Sequence, residues 1–145
     1  MLTYPFLKMK RTLNVILALT IAGNCFAQLP RLQVTSSKRF IKTAEGKPFF
    51  WQADTAWELL HRLDKEETEF YLKTRSEQGF NVVQTVALAE IDGLHTPNAE
   101  GEKALLNVNP FTPNPAYFEH VEWVIDKAAE HGIYVALLPT WGDKL

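Results

Sequence analysis

Beyond the N-terminal region three apolar runs punctuate the chain, with one amphipathic stretch between each and the next. The first run, Phe49-Phe50-Trp51, has the aromatic composition of a buried strand and turns polar at Asp54-Thr55. The second, Phe80 to Leu88 (FNVVQTVAL), and the third, Ile133 to Pro139 (IYVALLP), are rich enough in β-branched and aliphatic residues to read the same way. Trp57, Leu60 and Leu63 follow the first run at helical spacing. From Asp64 the spacing predicts a helix to about Gln78: Asp64 caps it, Glu67 completes a capping box, and Gly79 stops it. Asn114 and Pro115 are the N-cap and first residue of a second helix, whose stripe is Phe118, Val121, Val124, Ile125 and Ala128 and whose end is Gly132. Upstream, Arg39 to Lys42 and Pro48 to Trp51 flank a turn at Ala44-Glu45-Gly46-Lys47, the chemistry of a β-hairpin. Gln28 to Ser37 reads as a lead-in.

Glu77-Gln78-Gly79-Phe80-Asn81-Val82 and Glu130-His131-Gly132-Ile133-Tyr134-Val135 match as helix end, glycine, apolar, polar, valine. Strand, helix, strand, helix, strand with near-continuous apolar strands predicts βαβ crossovers and a parallel sheet, in a barrel or a doubly wound domain. The segment from Ala89 to Pro113 has little periodicity, and loops of that length in a compact domain are usually functional. The unusual residues then gather at strand C-terminal ends, where both architectures bind ligands.

Composition narrows the class. The 145 residues are 46% hydrophobic and 22% charged with a net charge of −2, a globular profile with no basic stripe for nucleic acid. At the N-terminus, Lys8, Lys10 and Arg11 precede an apolar core from Leu13 to Ala22 and a small-residue exit at Ala27. That is the layout of a secretory signal peptide, too short for a permanent membrane span. The segments expected are therefore a leader over 1–27, a lead-in over 28–38 and an α/β domain over 39–145, in a periplasmic or extracellular protein. Met9 is an alternative start, and lipidation of Cys25 a weaker alternative to cleavage after Ala27. Cys25 is the sole cysteine, so a mature chain would carry no thiol. No His/Asp/Glu cluster has metal-ligand spacing and no Gly-rich phosphate fingerprint follows a strand, so neither a metal nor a nucleotide cofactor is expected.

Asp54 at a strand end reads as a polar contact in a ligand pocket or as a helix cap. Trp57 and Trp141 offer flat apolar faces to a ligand, with core packing as the alternative. Gln84 interrupts its apolar strand and reads as a hydrogen-bonded residue of the sheet centre. Asp143 is either a ligand contact or a frayed surface acid. His61 reads as structural, His95 as a weak substrate contact, and His120 and His131 as solvated surface.

With those residues placed, the chain resembles the N-terminal part of the apiosidase-like glycoside hydrolases, family 140, which overlap a domain group of unknown function. The resemblance is carried by Phe50 to Leu63 (FWQADTAWELLHRL), by Gly79 to Gln84 (GFNVVQ), and by His131-Gly132-Ile133 through Leu138-Pro139-Thr140-Trp141-Gly142. It implies an α/β fold that is the N-terminal part of a (β/α)₈ TIM barrel, about three strands and two helices after the hairpin. It also implies an exported hydrolase acting on plant cell-wall polysaccharide, such as apiose-containing pectin side chains. In barrels of this kind the catalytic carboxylates come from later strands, so the chain reads as a fragment that binds sugar on one side of the site and lacks its catalytic pair. A non-catalytic carbohydrate-binding or scaffold fragment and an unrelated doubly wound domain are the alternatives.

Overall fold

The computed structural model describes residues 29–141. The expected leader and Asp143 lie outside the described residues. Two small sheets follow one another. The first is antiparallel in the order β1 (Leu32–Val34), β2 (Ile41–Thr43), β3 (Pro48–Phe49). Its second turn closes through Gly46 at φ 88°, with Thr43 N donating to Lys47 O at 2.8 Å. Glycine fits that backbone without a Cβ penalty. The hairpin is thus present, and the lead-in contributes a strand that the sequence did not predict, β1, paired to β2 from Leu32↔Thr43 to Val34↔Ile41.

The second sheet is parallel, in the order β4 (Ala53–Thr55), β5 (Val82–Val86), β6 (Tyr134–Leu138). Between its strands run α1 (Leu59–Arg62), α2 (Lys65–Glu77) and α3 (Pro115–Glu130). These are the βα units of a partial TIM-barrel fold. The first strand departs from expectation. Phe49-Phe50-Trp51 is not a buried strand: Phe49 ends the antiparallel sheet, Phe50 and Trp51 are 76% and 43% exposed, and the parallel sheet begins only at Ala53. The aromatic run straddles the joint between two sheets, which composition alone does not reveal.

Local chemistry explains the helices. Asp64 Oδ1 accepts from Glu67 N at 2.9 Å while Glu67 Oε2 accepts from Asp64 N at 3.2 Å, the reciprocal capping box that starts α2. Asn114 Oδ1 accepts from Ala116 N at 3.2 Å ahead of Pro115, starting α3. Neither Asp54 nor Thr55 caps a helix, since the residue ahead of α1 is Glu58. The α3 stripe is rotated from the one expected: Tyr117, His120, Val121, Val124 and Ala128 are buried, whereas Ile125 is 37% exposed.

Side-chain alternation sorts the sheet into two faces. Val83, registered with Asp54 and Val135, points to the helices. There it joins a core of Leu59, Leu60, Leu72, Tyr117, Val121, Val124, Ala128 and Ile133. Thr55, Gln84 and Ala136 line up on the other face, flanked along β5 by the buried Val82 and Val86. The matching passages of sequence are not matching positions in the sheet. Val82 pairs with Tyr134, and Val83 with Val135, because the link from Gly132 to its strand is one residue shorter. A one-residue slip reverses which face a side chain takes.

His120 is a further correction. It is not solvated surface but 5% exposed, stacked on Trp123 at 6.1 Å, with neither ring nitrogen hydrogen-bonded within the described protein. Burial drives its pKa below 6.5, against the pull of Glu100 and with the help of Lys65. The folded state therefore holds this ring neutral, while the unfolded chain takes up a proton near 6.5. Stability is complete above that pH and declines as pH falls below it. Urea titrations between pH 7.5 and 5 should show this decline, and His120→Leu should flatten it. An unchanged slope in the variant would place the acid sensitivity elsewhere.

Candidate active-site face

The C-terminal ends of β4, β5 and β6 carry the residues that matter. After β4 the backbone is tied to its neighbour by Ala56 N donating to Gln84 O at 2.8 Å, and Trp57 O accepts from the buried Thr85 hydroxyl at 3.4 Å. After β6 the chain reaches Trp141. The two indoles meet edge to face, centroids 4.9 Å apart and planes at 80°. That is a favoured aromatic geometry, and it joins two loops that sequence places 84 residues apart only by their spacing along the chain. Trp141 is half-buried, but its Nε1 is sealed from solvent with no acceptor among the described residues. Its accessible part is therefore not the indole N–H.

Asp54 lies on the helix side of the sheet. Its Oδ2 accepts from the Tyr71 hydroxyl at 2.7 Å and from Arg75 Nε, and its Oδ1 accepts from Thr55 N at 2.9 Å. Burial pushes the carboxyl up, but the Tyr71 hydroxyl, the Thr55 amide and the Arg75 guanidinium together hold it below 3.8. The same burial, reinforced by Asp54, raises the Tyr71 phenol to about 12. Arg75 also lies over the Tyr71 and Phe80 rings, at 5.0 and 5.7 Å, and donates to Gln78 Oε1 at 2.7 Å. Tyr71 and Arg75 are one helical turn apart on α2, so a single face of that helix grips the end of β4.

The structure thus brings Trp57 and Trp141 together. It places Gln84 half-buried on the sheet face opposite the helices, in register with Thr55 and Ala136, and it separates Asp54 from that face.

Glu58 is a residue that sequence reasoning passed over. Its Oε1 accepts from Glu90 N at 3.1 Å, and its Oε2 lies 3.3 Å from His61 Nδ1 and 3.6 Å from Arg62 Nε. His61 Nε2 donates to Thr96 O at 3.1 Å, and His61 O accepts from Ala99 N at 2.9 Å. His61 is structural, as its helical position suggested. The buried Tyr117 hydroxyl donates to Ala87 O at 2.7 Å, and its pKa is pushed to about 12 by burial and then by Glu58. Glu58 ahead of α1, His61 within it and Tyr117 of α3 thereby fasten the long segment after β5. Within it, Gly93 packs so closely that a Cβ would come 2.6 Å from Ala89 Cβ and 2.7 Å from its backbone. His95 is exposed and lies 2.8 Å from Asp92 Oδ1. The carboxylates of Asp54 and Glu58 are both engaged by protein donors. Among the described residues no group of three or more His, Cys, Asp or Glu is arranged to hold a metal ion, and no helix is long and apolar enough to cross a membrane.

Residues 35–145 match the model of the apiosidase-like catalytic domain. Among solved structures, the chain is similar to a glycoside hydrolase family 5 protein from Bacteroides vulgatus ATCC 8482, with 28% identity and a TM-score of 0.68 over 84% of this chain and 28% of that one. A second structure, described as a glycoside hydrolase, shares 29% identity and a TM-score of 0.66 over 79% of this chain and 26% of that one. A third protein, also from Bacteroides vulgatus ATCC 8482, shares the fold at 22% identity and a TM-score of 0.62, over 81% of this chain and 25% of its own. The chain spans about a quarter of the length of these structures. No curated protein matches it.

Proposed function

The chain belongs to the apiosidase-like catalytic-domain family, and from that membership we propose that it supplies one wall of the sugar-binding face of an exported glycoside hydrolase. The substrate is plant cell-wall polysaccharide, such as apiose-containing pectin side chains. The observation that carries this reading is the Trp57–Trp141 pair at the C-terminal end of the parallel strands. That end is where barrel enzymes assemble their sites, and apolar indole carbon suits the C–H faces of a sugar ring. Gln84, on the face away from the helices, contributes an amide to hydroxyl groups. Asp54 acts behind this surface, fixing the end of β4. Asp143, two residues after Trp141 in the sequence, is assigned as a further sugar contact on this reading. The basic and apolar N-terminal segment supports export.

The chemistry calls for two carboxyl groups, about 5 Å apart in a retaining enzyme and about 6.5–9.5 Å apart in an inverting one. Asp54 and Glu58 are held by Tyr71, Arg75, His61 and the Glu90 amide, so the reading assigns the catalytic pair to barrel strands other than these three. The same engagement of the acids favours one second reading, a non-catalytic carbohydrate-binding fragment.

The test is to read the coding DNA past the codon for Leu145, express the complete frame and assay release of reducing sugar from soluble pectic polysaccharide. Release, with acids encoded after later strands, is the expected result. Binding without release from any wall glycan would favour the non-catalytic reading. Neither binding nor release would overturn both.

A further inference from the structure

We propose that the tip of the loop between β5 and α3, with Phe111 at its apex, is a second carbohydrate-contact platform that receives a part of the glycan away from the scissile bond. The inference rests on the glycoside hydrolase reading and adds a subsite to it. Phe111 is 91% exposed, with Leu106 at 46% and Val108 at 40% within the same short turn. A single exposed apolar side chain needs no explanation, but three on one turn form a patch.

The patch is held rigidly. Leu106 N donates to Thr112 O at 2.9 Å, Asn109 N to Leu106 O at 3.0 Å and Thr112 N to Asn109 O at 3.0 Å. The Thr112 hydroxyl reaches Leu106 O and Asn109 O, and Phe111 N donates to Asn109 Oδ1 at 3.0 Å. Below the tip, Leu105 bridges Pro113, and Ala104 and Leu105 are buried in the helix-side core. Within the tip, Asn107 and Val108 both adopt left-handed backbone, at φ 55° and 56°. That conformation is costly for a β-branched valine, and strain of this kind persists where surrounding bonds over-determine it, commonly at binding sites.

Position and chemistry select the occupant. The loop leaves the C-terminal end of β5 and enters the N-terminus of α3, so it stands on the same end of the sheet as Trp57 and Trp141. A groove of about 390 Å³ beside the tip is bordered by Leu106 and Val108 together with Glu102, Lys103, Asn107 and Asn114. Apolar surface beside amides and charged groups matches a glycan, whose rings are apolar on their faces and polar at their rims. Three side chains are too few for a stable protein interface, which takes about 800 Å² from each partner.

The test compares the full-length protein with Phe111→Ala and Phe111→Trp. Binding of soluble pectic polysaccharide should weaken about tenfold in the alanine variant, the scale of one lost ring contact, and should be kept by tryptophan. KM for the polymer should rise with kcat unchanged, and cleavage of a small aryl glycoside should not change. Equal polymer affinity in wild type and Phe111→Ala would overturn the platform and leave the hydrolase reading standing. A loss confined to stability or to oligomeric state would likewise overturn it, by assigning Phe111 to packing. A wild-type protein that binds no wall glycan would remove the hydrolase reading and the platform together.

Discussion

Replacing Asp54 by alanine should cost the protein about 2–3 kcal/mol of stability, the range for charged hydrogen bonds with one partner removed. The loss arises because the Tyr71 hydroxyl and Arg75 Nε both donate to Oδ2, and the Thr55 amide donates to Oδ1. In the alanine variant only water is left to replace these acceptors. The figure stays below that for a fully buried pair because the Arg75 and Asp54 side chains are 32% and 24% exposed, so water offsets part of the loss. Asp54→Asn keeps one acceptor oxygen, enough for the Thr55 amide or the Tyr71 hydroxyl but not both, loses the charge facing Arg75, and should fall between the two. The pH dependence has a definite sign. Because the folded carboxyl titrates below 3.8, its stabilisation is complete above that value and is lost as pH falls through the lower folded pKa. Chemical denaturation of the three proteins at pH 7 checks the order. An alanine variant within about 0.5 kcal/mol of wild type, the scatter of ordinary surface substitutions, would sink the clamp.

Trp141→Ala carries the second large effect, on binding. A buried aromatic contact at the centre of a binding surface contributes about 2 kcal/mol or more, so glycan affinity should fall about thirtyfold. Folding should suffer less, by about 0.5–1.5 kcal/mol for the edge-to-face contact with Trp57. A double-mutant cycle with Trp57→Ala isolates that contact. The contrary outcome is equally definite. Unchanged affinity with a stability loss of about 3–5 kcal/mol, the usual result of emptying a tryptophan from a core, would make Trp141 a packing residue.

Elements fixed by short-range chemistry were legible in the sequence. The Asp64–Glu67 box, Asn114-Pro115, and the glycines 79 and 132 define α2 and α3 almost to the residue, because caps and left-handed stops depend on neighbours a turn away. Phe49-Phe50-Trp51 misled because composition does not show where one sheet hands over to the next. β1 was missed because Leu32–Val34 has only three residues and leaves Val34 64% exposed. The fate of Asp54 depends on Tyr71 and Arg75, 17 and 21 residues away. The one available signal was that these two donors lie a helical turn apart on α2. His120 looked like surface because the stripe of α3 was drawn through Ile125, and rotating it onto Tyr117 buries the ring. Of the site, the meeting of Trp57 with Trp141 follows from their both trailing parallel strands, whereas the role of Glu58 needed the folded loop.

The loop after β5 divides mechanically at Leu105 and Pro113. On one side of that bridge the segment is bolted to the scaffold at several points, through Glu58, His61, Tyr117 and the close packing at Gly93. On the other side the tip bonds mainly to itself, and its two ends are already pinned together. A segment with adjacent ends behaves as a cassette, since exchanging it neither stretches the frame nor adds a long closure to the folding chain. Relatives could therefore differ over 106–112 while conserving the bolts. For laboratory evolution, diversity placed there should cost little foldedness, whereas the same diversity spread over 87–99 would be lost to misfolding.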